Sequence, residues 1–467
     1  MQSVFRTALL VCLVPNLLWG CANIMYVAKP IDAEQSAVKL SQKSLDHPDF
    51  KGYLIKNGFS DRSPPFDAWD VESMYRTALF YHSDLAVAKE KLALAEYSIQ
   101  VAGIKPALGI GGNIGRSDRA NGDINPMSYS LQIDIPFETT SKRAIKVEQA
   151  QHLAEVSRLD AAEIAWHLRH QIQLDLINYH EQQRSLQLLQ RELDTYQQLI
   201  SMLEKRVAQG MGSNTELSQY QLMRQKSQIQ LRNASAKTDY LIVKLSGDVG
   251  LSFAEFKRIP IAQTYATPLT ASATSQSDTL QSEALIHRVD IRRSLARYAA
   301  AESKLKLEVA KQIPDISLSP GYAFEFGDRV WSLGLGTLLN LLQQQPTFIQ
   351  EAEQLRAIEG AQFEALQASV IAQTNAIFAQ YSVAQSTHQN AKEMLAAQST
   401  HIQKIQKQFD AGLADRVALT QAQLTLHFAE QDVSATEFEM LRQYAQLENV
   451  IQRPLTEAVS MTQLNAR

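Results

Sequence analysis

Two spacings of apolar residues alternate along the chain, and each block of spacing occurs twice. Leu186, Leu189, Leu193, Tyr196, Ile200, Leu203 and Val207 recur at strictly alternating steps of three and four. That rhythm draws a narrow stripe down a helix and buries it against a neighbouring helix, as in a coiled coil. Leu395, Ile402, Ile405 and Phe409 carry a second such seam, with Ala391 and Gln398 at its weaker positions. Polar residues such as Gln182-Gln183-Arg184 and Gln403-Lys404 fill the other faces, which suits a wall with water on both sides. The pattern predicts helices over about 71–102, 139–208 and 213–246, and again over about 280–311, 339–410 and 414–447. No proline interrupts the first long helix, and Pro346 sits near the start of the second, where it is tolerated.

Between the helices the spacing changes to two. Tyr129, Leu131, Ile133 and Ile135 alternate with Ser130, Gln132 and Asp134; Trp331, Leu333 and Leu335 alternate with Ser332, Gly334 and Gly336. Ile316, Leu318, Tyr322, Phe324 and Phe326 form a third run, and Leu108, Ile110 and Ile114 share a face opposite Gly109, Gly111 and Asn113. Strands of roughly nine residues with one apolar and one small or polar face suit a transmembrane β-barrel, and Tyr129, Tyr322, Phe326 and Trp331 suit its aromatic girdles. Alternation alone fits a half-buried soluble sheet equally well.

The blocks are tandem copies. An offset of 202 maps Ser130-Leu131 onto Ser332-Leu333, Gly210 onto Gly412, Leu217 onto Leu419, Gln219 onto Gln421 and Gln221 onto Gln423. Upstream, Ala78-Leu79 with Asp84-Leu85 matches Ala284-Leu285 with Asp290-Ile291, and Pro106 matches Pro314. Each unit reads helix, two strands, long helix, tight turn, helix. A helix of about 70 residues is roughly 105 Å long, and the two shorter helices of a unit, stacked end to end, match it. Such a rod is more than three times the ~30 Å of a bilayer core and fits something that crosses an aqueous space. Four strands cannot close a barrel, so chains must associate, and three copies bring 12 strands together. The polar loop 116–127 faces outside in this reading, and Gly327-Asp328-Arg329 is its short counterpart.

Composition narrows the class. The 467 residues carry 45 Lys+Arg against 49 Asp+Glu, a net charge of -4, with no basic block to bind nucleic acid. The two cysteines, Cys12 and Cys21, leave the body of the protein without a disulfide or a cysteine metal site. Arg6 followed by an apolar stretch from Thr7 to Trp19 reads as an export signal too short to span a membrane. It ends Leu17-Leu18-Trp19-Gly20-Cys21, which resembles a bacterial lipobox with Cys21 as the lipidated residue; an ordinary signal peptide with a nearby cysteine is the alternative. Ala22 after it resembles the signal for routing to the outer membrane. No later stretch of 18 apolar residues exists, so only strands could cross lipid. Gly109-Ile-Gly111-Gly112-Asn-Ile-Gly115 has the wrong spacing for a nucleotide loop and no following lysine. Glu163, His167 and His170 share a helix face without a third strong metal ligand, and no nucleophile–base pair stands out, so neither a cofactor nor catalysis is expected.

The order of these elements, with Arg206-Val-Ala-Gln-Gly210-Met-Gly-Ser213-Asn-Thr-Glu-Leu217 and Phe409-Asp-Ala-Gly412-Leu-Ala-Asp415-Arg-Val-Ala-Leu419, resembles the lipoprotein type of the TolC family of outer-membrane factors over about 67–453. The resemblance implies a mainly α fold with a small β part: a homotrimer with an α-barrel of long coiled-coil hairpins and a 12-stranded transmembrane barrel. It implies residence in the bacterial outer membrane, reach into the periplasm, and contact with a periplasmic adaptor bound to an inner-membrane pump. Gly210, Gly212, Ser213, Gly412, Leu413 and Asp415 would then be adaptor-contact tips, although a plain turn explains them locally as well. Glu216, Gln219, Ala418 and Gln421 would line the periplasmic mouth. Family members often carry acids where this chain has Ala418 and Gln421, so either Glu216 supplies any acidic ring or the gate is looser or built differently. Leu338-Leu339-Asn340 departs from the family pattern that Pro136-Phe137 keeps. The expected organisation is a signal peptide (1–20), an anchored segment (21–66), a first repeat (67–252), a linker (253–279), a second repeat (280–453) and a tail (454–467). The expected function is a passive exit duct for efflux or type I secretion. A lipoprotein spacer between outer membrane and cell wall is the first alternative, and a surface-exposed trimeric adhesin the second.

Overall fold

The computed structural model describes residues 26–58, 66–118, 125–263, 277–337 and 345–455. Its elements are α1 (Ala33–Ser41), α2 (Pro48–Lys56), α3 (Val71–Tyr81), α4 (Ser83–Ala102), β1 (Gly109–Arg116) and β2 (Met127–Phe137). There follow α5 (Lys142–Ala208), α6 (Asn214–Val249), α7 (Phe253–Phe256), α8 (Ser277–His287) and α9 (Val289–Ala310). The chain then continues through β3 (Ile316–Glu325), β4 (Asp328–Thr337), α10 (Gln345–Asp410) and α11 (Arg416–Ile451). It divides into two units, one ending at Ser44 and one starting at Leu45. The first contains α1, capped by the Asp32 carboxylate, which accepts from the backbone N–H of Glu34 at 2.9 Å. All other elements belong to the second. The fold is mainly α, with tandem long helical hairpins and one small antiparallel sheet.

The long helices α5 and α10 contain 67 and 66 residues, about 100 Å each at 1.5 Å per residue. Each is followed by a return helix of 36 residues, α6 or α11. Helix α5 packs against α6 and α11, and also against α4 and α9; α10 packs against α11, α9 and α8.

The helices expected over 71–102 and 280–311 are each broken. The chain becomes extended at His82 (φ -69°, ψ 130°) and at Arg288 (φ -60°, ψ 133°). Both breaks are fixed by the end of a return helix. Gly250, left-handed at φ 80°, lies so close that a Cβ there would sit 2.8 Å from the Tyr81 carbonyl. Its repeat mate Gln452, also left-handed, accepts from the Val289 N–H at 2.6 Å through Oε1. Arg288 grips Asp290 at 2.6 Å and donates to the Val450 carbonyl at 2.7 Å. The return helices therefore meet α4 and α9 end to end alongside the long helices, as their lengths require.

Around the first break lies the largest core cluster, which includes Phe50, Leu54, Trp69, Met74, Ile172, Leu245 and Phe256. Trp69 stacks on Phe256 at 5.2 Å and donates its indole N–H to the Phe256 carbonyl at 2.9 Å. The segment expected to be a linker thus supplies the core residues Phe256 and Ile259, with Ile261 packed against the cluster; residues 264–276 lie outside the described residues.

The first seam is wider than its spacing suggests. Leu189, Tyr196, Ile200 and Leu203 are buried, but so are Leu188, Glu192, Thr195 and Leu199, while Leu186, Leu193 and Val207 are half-buried. The reason is that α5 has helices on two sides, α6 and α11. Glu192 shows this: its carboxylate accepts from Ser227 of α6 at 2.6 Å and from Gln431 of α11. In the second seam all six positions are half-buried.

The four strands pair in sequence order, β1-β2-β3-β4, leaving β1 and β4 as edges. The register places Ile114, Tyr129 and Phe324 in one row, and Gly112, Leu131, Tyr322 and Trp331 in the next. One face thus carries the apolar side chains; its outer strands are exposed, Ile114 by 78% and Trp331 by 81%, while Leu318, Tyr322 and Phe324 of β3 are half-buried. The other face carries Gly111, Asn113, Ser130, Gln132, Ala323, Ser332 and Gly334, with Val330 its one exposed large apolar residue. The β3–β4 turn is Phe326-Gly327, left-handed at φ 52° and 116°, so Asp328 and Arg329 already belong to β4. Phe326 consequently sits in the turn and leaves the apolar face, contrary to the alternation.

A pair of acids lies between α5 and α6. Asp175 is buried and accepts from Lys244 at 2.8 Å and Gln171 at 2.7 Å. Burial, then the hydrogen bond and charge of Asp175, push the neighbouring Asp248 carboxyl up to about 7, against the pull of Lys244. A carboxyl raised in this way binds a proton more tightly in the folded state. Its stabilisation is full below about pH 4 and is lost as pH rises through about 7. Unfolding free energy should therefore fall between about pH 5 and about pH 7, by at most about 1.4 kcal/mol per pH unit. Asp248→Asn should flatten that decline in thermal melts, and an equally steep decline in the variant would rule this origin out.

Candidate functional site at the hairpin tips

Both long helices end in the same hydrogen-bond pattern. Gly210 N–H donates to the Val207 carbonyl and Met211 N–H to the Arg206 carbonyl, each at 2.9 Å. Gly412 N–H donates to Phe409 at 2.9 Å and Leu413 N–H to Gln408 at 2.8 Å. These are Schellman closures, and they need the left-handed φ of 73° at Gly210 and 74° at Gly412. Gly212 is required for a different reason: a Cβ there would lie 2.9 Å from the Val207 nitrogen. The second tip has Ala414 at that place, so the two turns are not identical.

The returning helices are capped unequally. Asp415 Oδ1 accepts from the Ala418 N–H at 2.7 Å, whereas Ser213 Oγ accepts from Glu216 at a long 3.4 Å. Asp415 does more than cap. Its Oδ2 accepts from Arg206 Nη2 at 2.6 Å, tying the tip of the first hairpin to the second. The Ala418 N–H, and after it Arg206, hold the Asp415 carboxyl below its ordinary value. One turn further in, Gln421 Nε2 donates to Glu216 at 3.2 Å and to the Tyr220 hydroxyl at 3.0 Å. Behind these lies an apolar cluster of Tyr196, Leu199, Ile200, Leu203, Val417 and Leu424.

The structure thus brings Asp415, Glu216 and Gln421 into two cross-hairpin links. Gln219 is exposed and makes neither of them; Ala418 enters only through its backbone, and Leu413 is exposed at the tip. Arg206 and Tyr220 are the residues that sequence reasoning missed. Arg206 stands in the last turn of a long helix, where a basic residue is unremarkable, and its partner is 209 positions away. Glu163 is taken up by Arg293, and burial, then the charges of His167 and Arg169, push His170 down to about 4. Among the described residues no three metal-ligating side chains gather, and no helix is long and apolar enough to cross a membrane. Cys21, Leu338-Leu339-Asn340, positions 119–124 of the outer loop and 456–467 of the tail lie outside the described residues.

Comparison with known proteins agrees with this architecture. The family model of outer membrane efflux proteins matches residues 74–245 and again 280–451, well over half of the chain. Helical hairpins and strands in this duplicate order define an outer-membrane channel fold. The chain belongs to the outer membrane efflux protein family. It is similar in structure to the outer-membrane channel OprN, at 16% identity and a TM-score of 0.67, over 92% of this chain and 100% of that one. The outer membrane protein VceC of Vibrio cholerae matches at 15% identity and a TM-score of 0.66, covering 82% and 96%. The CmeC outer membrane channel of Campylobacter jejuni matches at 13% and 0.65, covering 92% and 93%. No protein of curated function matches the sequence.

The tips can be tested without any partner. Gly412→Ala forces a Cβ into the left-handed region at an otherwise open position, at a cost of about 1 kcal/mol. Amide exchange over 405–414 should speed up by about fivefold while the global melting temperature holds. Unchanged protection there would contradict the Schellman closure.

Proposed function

We propose that three copies of this chain form the exit duct of a tripartite efflux pump or type I secretion system in the bacterial outer membrane. The observation that carries the proposal is the sheet, with an exposed apolar face, a polar opposite face and two unpaired edges. Three such sheets, edge to edge, make a closed barrel of 12 strands, apolar toward lipid and hydrophilic within. The helical hairpins continue the wall as a water-filled tube about 100 Å long. Removal of residues 1–20 and lipidation of Cys21 would anchor the N-terminus to the same membrane.

In this reading the adaptor meets Gly210, Gly212, Ser213, Gly412, Leu413 and Asp415 at the periplasmic tips, and the adaptor joins the duct to an inner-membrane pump. Transport is passive and the chain carries out no chemistry. The mouth is held by Arg206–Asp415 and by Gln421 with Glu216 and Tyr220, in place of acids at 418 and 421. An exposed ion pair such as Arg206–Asp415 is worth about 0–1 kcal/mol, and the half-buried Gln421 hydrogen bonds about 0.5–1.5 kcal/mol each, so adaptor binding can break them.

Reconstituted in a planar bilayer, the protein should conduct ions, and a lipoprotein spacer should not. Arg206→Ala with Asp415→Ala should raise single-channel conductance by about twofold or more, since removing weak links releases the mouth; an unchanged conductance would reject the lock. Glu216, repeated in each copy, should give the mouth a weak preference for cations. Reversal potentials that stay the same in Glu216→Ala would remove that role from it.

A further inference from the structure

The five charged residues of the four strands are sorted by face. Asp134, Glu325 and Asp328 lie on the polar face, and Arg116 and Arg329 lie on the apolar one. Arg329 stands in the row of Ile114, Tyr129 and Phe324, and Arg116 pairs with Met127 one row nearer the strand ends. Both arginines are exposed. Among the described residues neither guanidinium forms an ion pair, and no acid of the strands shares their face.

Position explains what they meet. Tyr129 stacks on Phe324 at 4.8 Å, and Tyr322 packs on Trp331 at 4.8 Å. Aromatic side chains in such rows mark the level where hydrocarbon gives way to headgroups. Arg329 is two residues beyond Trp331 on the same face, roughly 7 Å further along the strand. A guanidinium there is past the acyl chains and at the depth of lipid phosphates, for which its planar donors are suited. An uncompensated cation facing hydrocarbon would be costly, so its stable partner at this depth is an anionic headgroup.

We infer that the turn-side end of the apolar sheet face binds phosphate-bearing lipid headgroups through Arg116 and Arg329. This rests on the proposed membrane placement of the sheet. The two arginines occupy the two edge strands, so in a closed ring Arg116 of one copy comes beside Arg329 of the next. Each seam between copies then presents a pair of cations to lipid.

Trp331 gives a local readout, because it is 81% exposed on this face while Trp69 is fully buried. The full chain is reconstituted in phosphatidylcholine vesicles that contain brominated phosphatidylcholine or brominated phosphatidic acid at equal mole fraction. Emission from Trp331 is isolated by subtracting a Trp331→Phe protein. Phosphatidic acid should bind next to Trp331 several-fold more strongly, about fivefold per arginine, and the preference should shrink as NaCl is raised. Arg116→Gln with Arg329→Gln should bring the ratio of the two lipids close to one while quenching by phosphatidylcholine persists. Should that double variant fail to insert, Arg329→Gln alone and the salt series on the unaltered protein give the same reading. A ratio near one in the unaltered protein, or a preference indifferent to both substitution and salt, overturns the inference. Absence of quenching by either lipid overturns the membrane placement itself, a distinguishable failure.

Discussion

A strand edge in hydrocarbon leaves its backbone N–H and C=O groups without partners, at a cost of several kcal/mol per group. The sheet has two such edges, β1 and β4, one from each repeat. No rearrangement within the chain removes them, because four strands are too few to curl into a barrel. Closure between copies is the one solution, and the contact it needs is heterologous, β4 of one copy on β1 of the next. The helices inherit this requirement. Between the core around the breaks and the hairpin tips the packing order is α6, α5, α11, α10, and the end members expose apolar side chains such as Leu222 and Ile229 on α6 and Val383 and Met394 on α10.

The tips follow the opposite logic. Along the length of the wall, burial of leucine, tyrosine and alanine side chains holds the helices together, at about 1.5–3 kcal/mol for each large side chain. At the mouth the links are polar and few, exposed at Arg206–Asp415 and half-buried at Gln421. That gradient places the most weakly held part of the structure at the tips, where the proposed adaptor contact would act. The core cluster of Tyr196, Leu199 and Leu203 lies directly behind the links, so loosening the mouth does not undo the hairpins.

Much of this was legible in the sequence because it rests on periodicity and on duplication. Helix lengths, strand faces, the tip glycines and the need for association all follow from local spacing. The breaks at His82 and Arg288 were invisible, since neither proline nor glycine marks them. They arise from Gly250 and Gln452, which are remote in sequence. The width of the first seam was also hidden, because a three–four spacing reports one neighbour and α5 has two. The Arg206–Asp415 link joins distant turns, and its repeat mate is the neutral pair Gln408 and Ser213, so duplication offered no hint of it.

That last inequality has a structural consequence. By repeat equivalence, the contact of α5 with α11 inside a chain corresponds to contact of α10 with α6 of the next copy in the proposed ring. The sheet obeys the same rule, with β2–β3 inside a chain standing for β4–β1 between chains. The links at the mouth, however, do not repeat. Where the inner junction has Arg206 with Asp415, the seam between copies has Gln408 opposite Ser213. Where the inner junction has Gln421 with Glu216, the seam has Gln219 opposite Ala418, whose methyl group cannot accept a hydrogen bond. In the proposed ring the charged contacts therefore hold the two hairpins of one copy together, and the seams between copies carry only neutral partners at these positions.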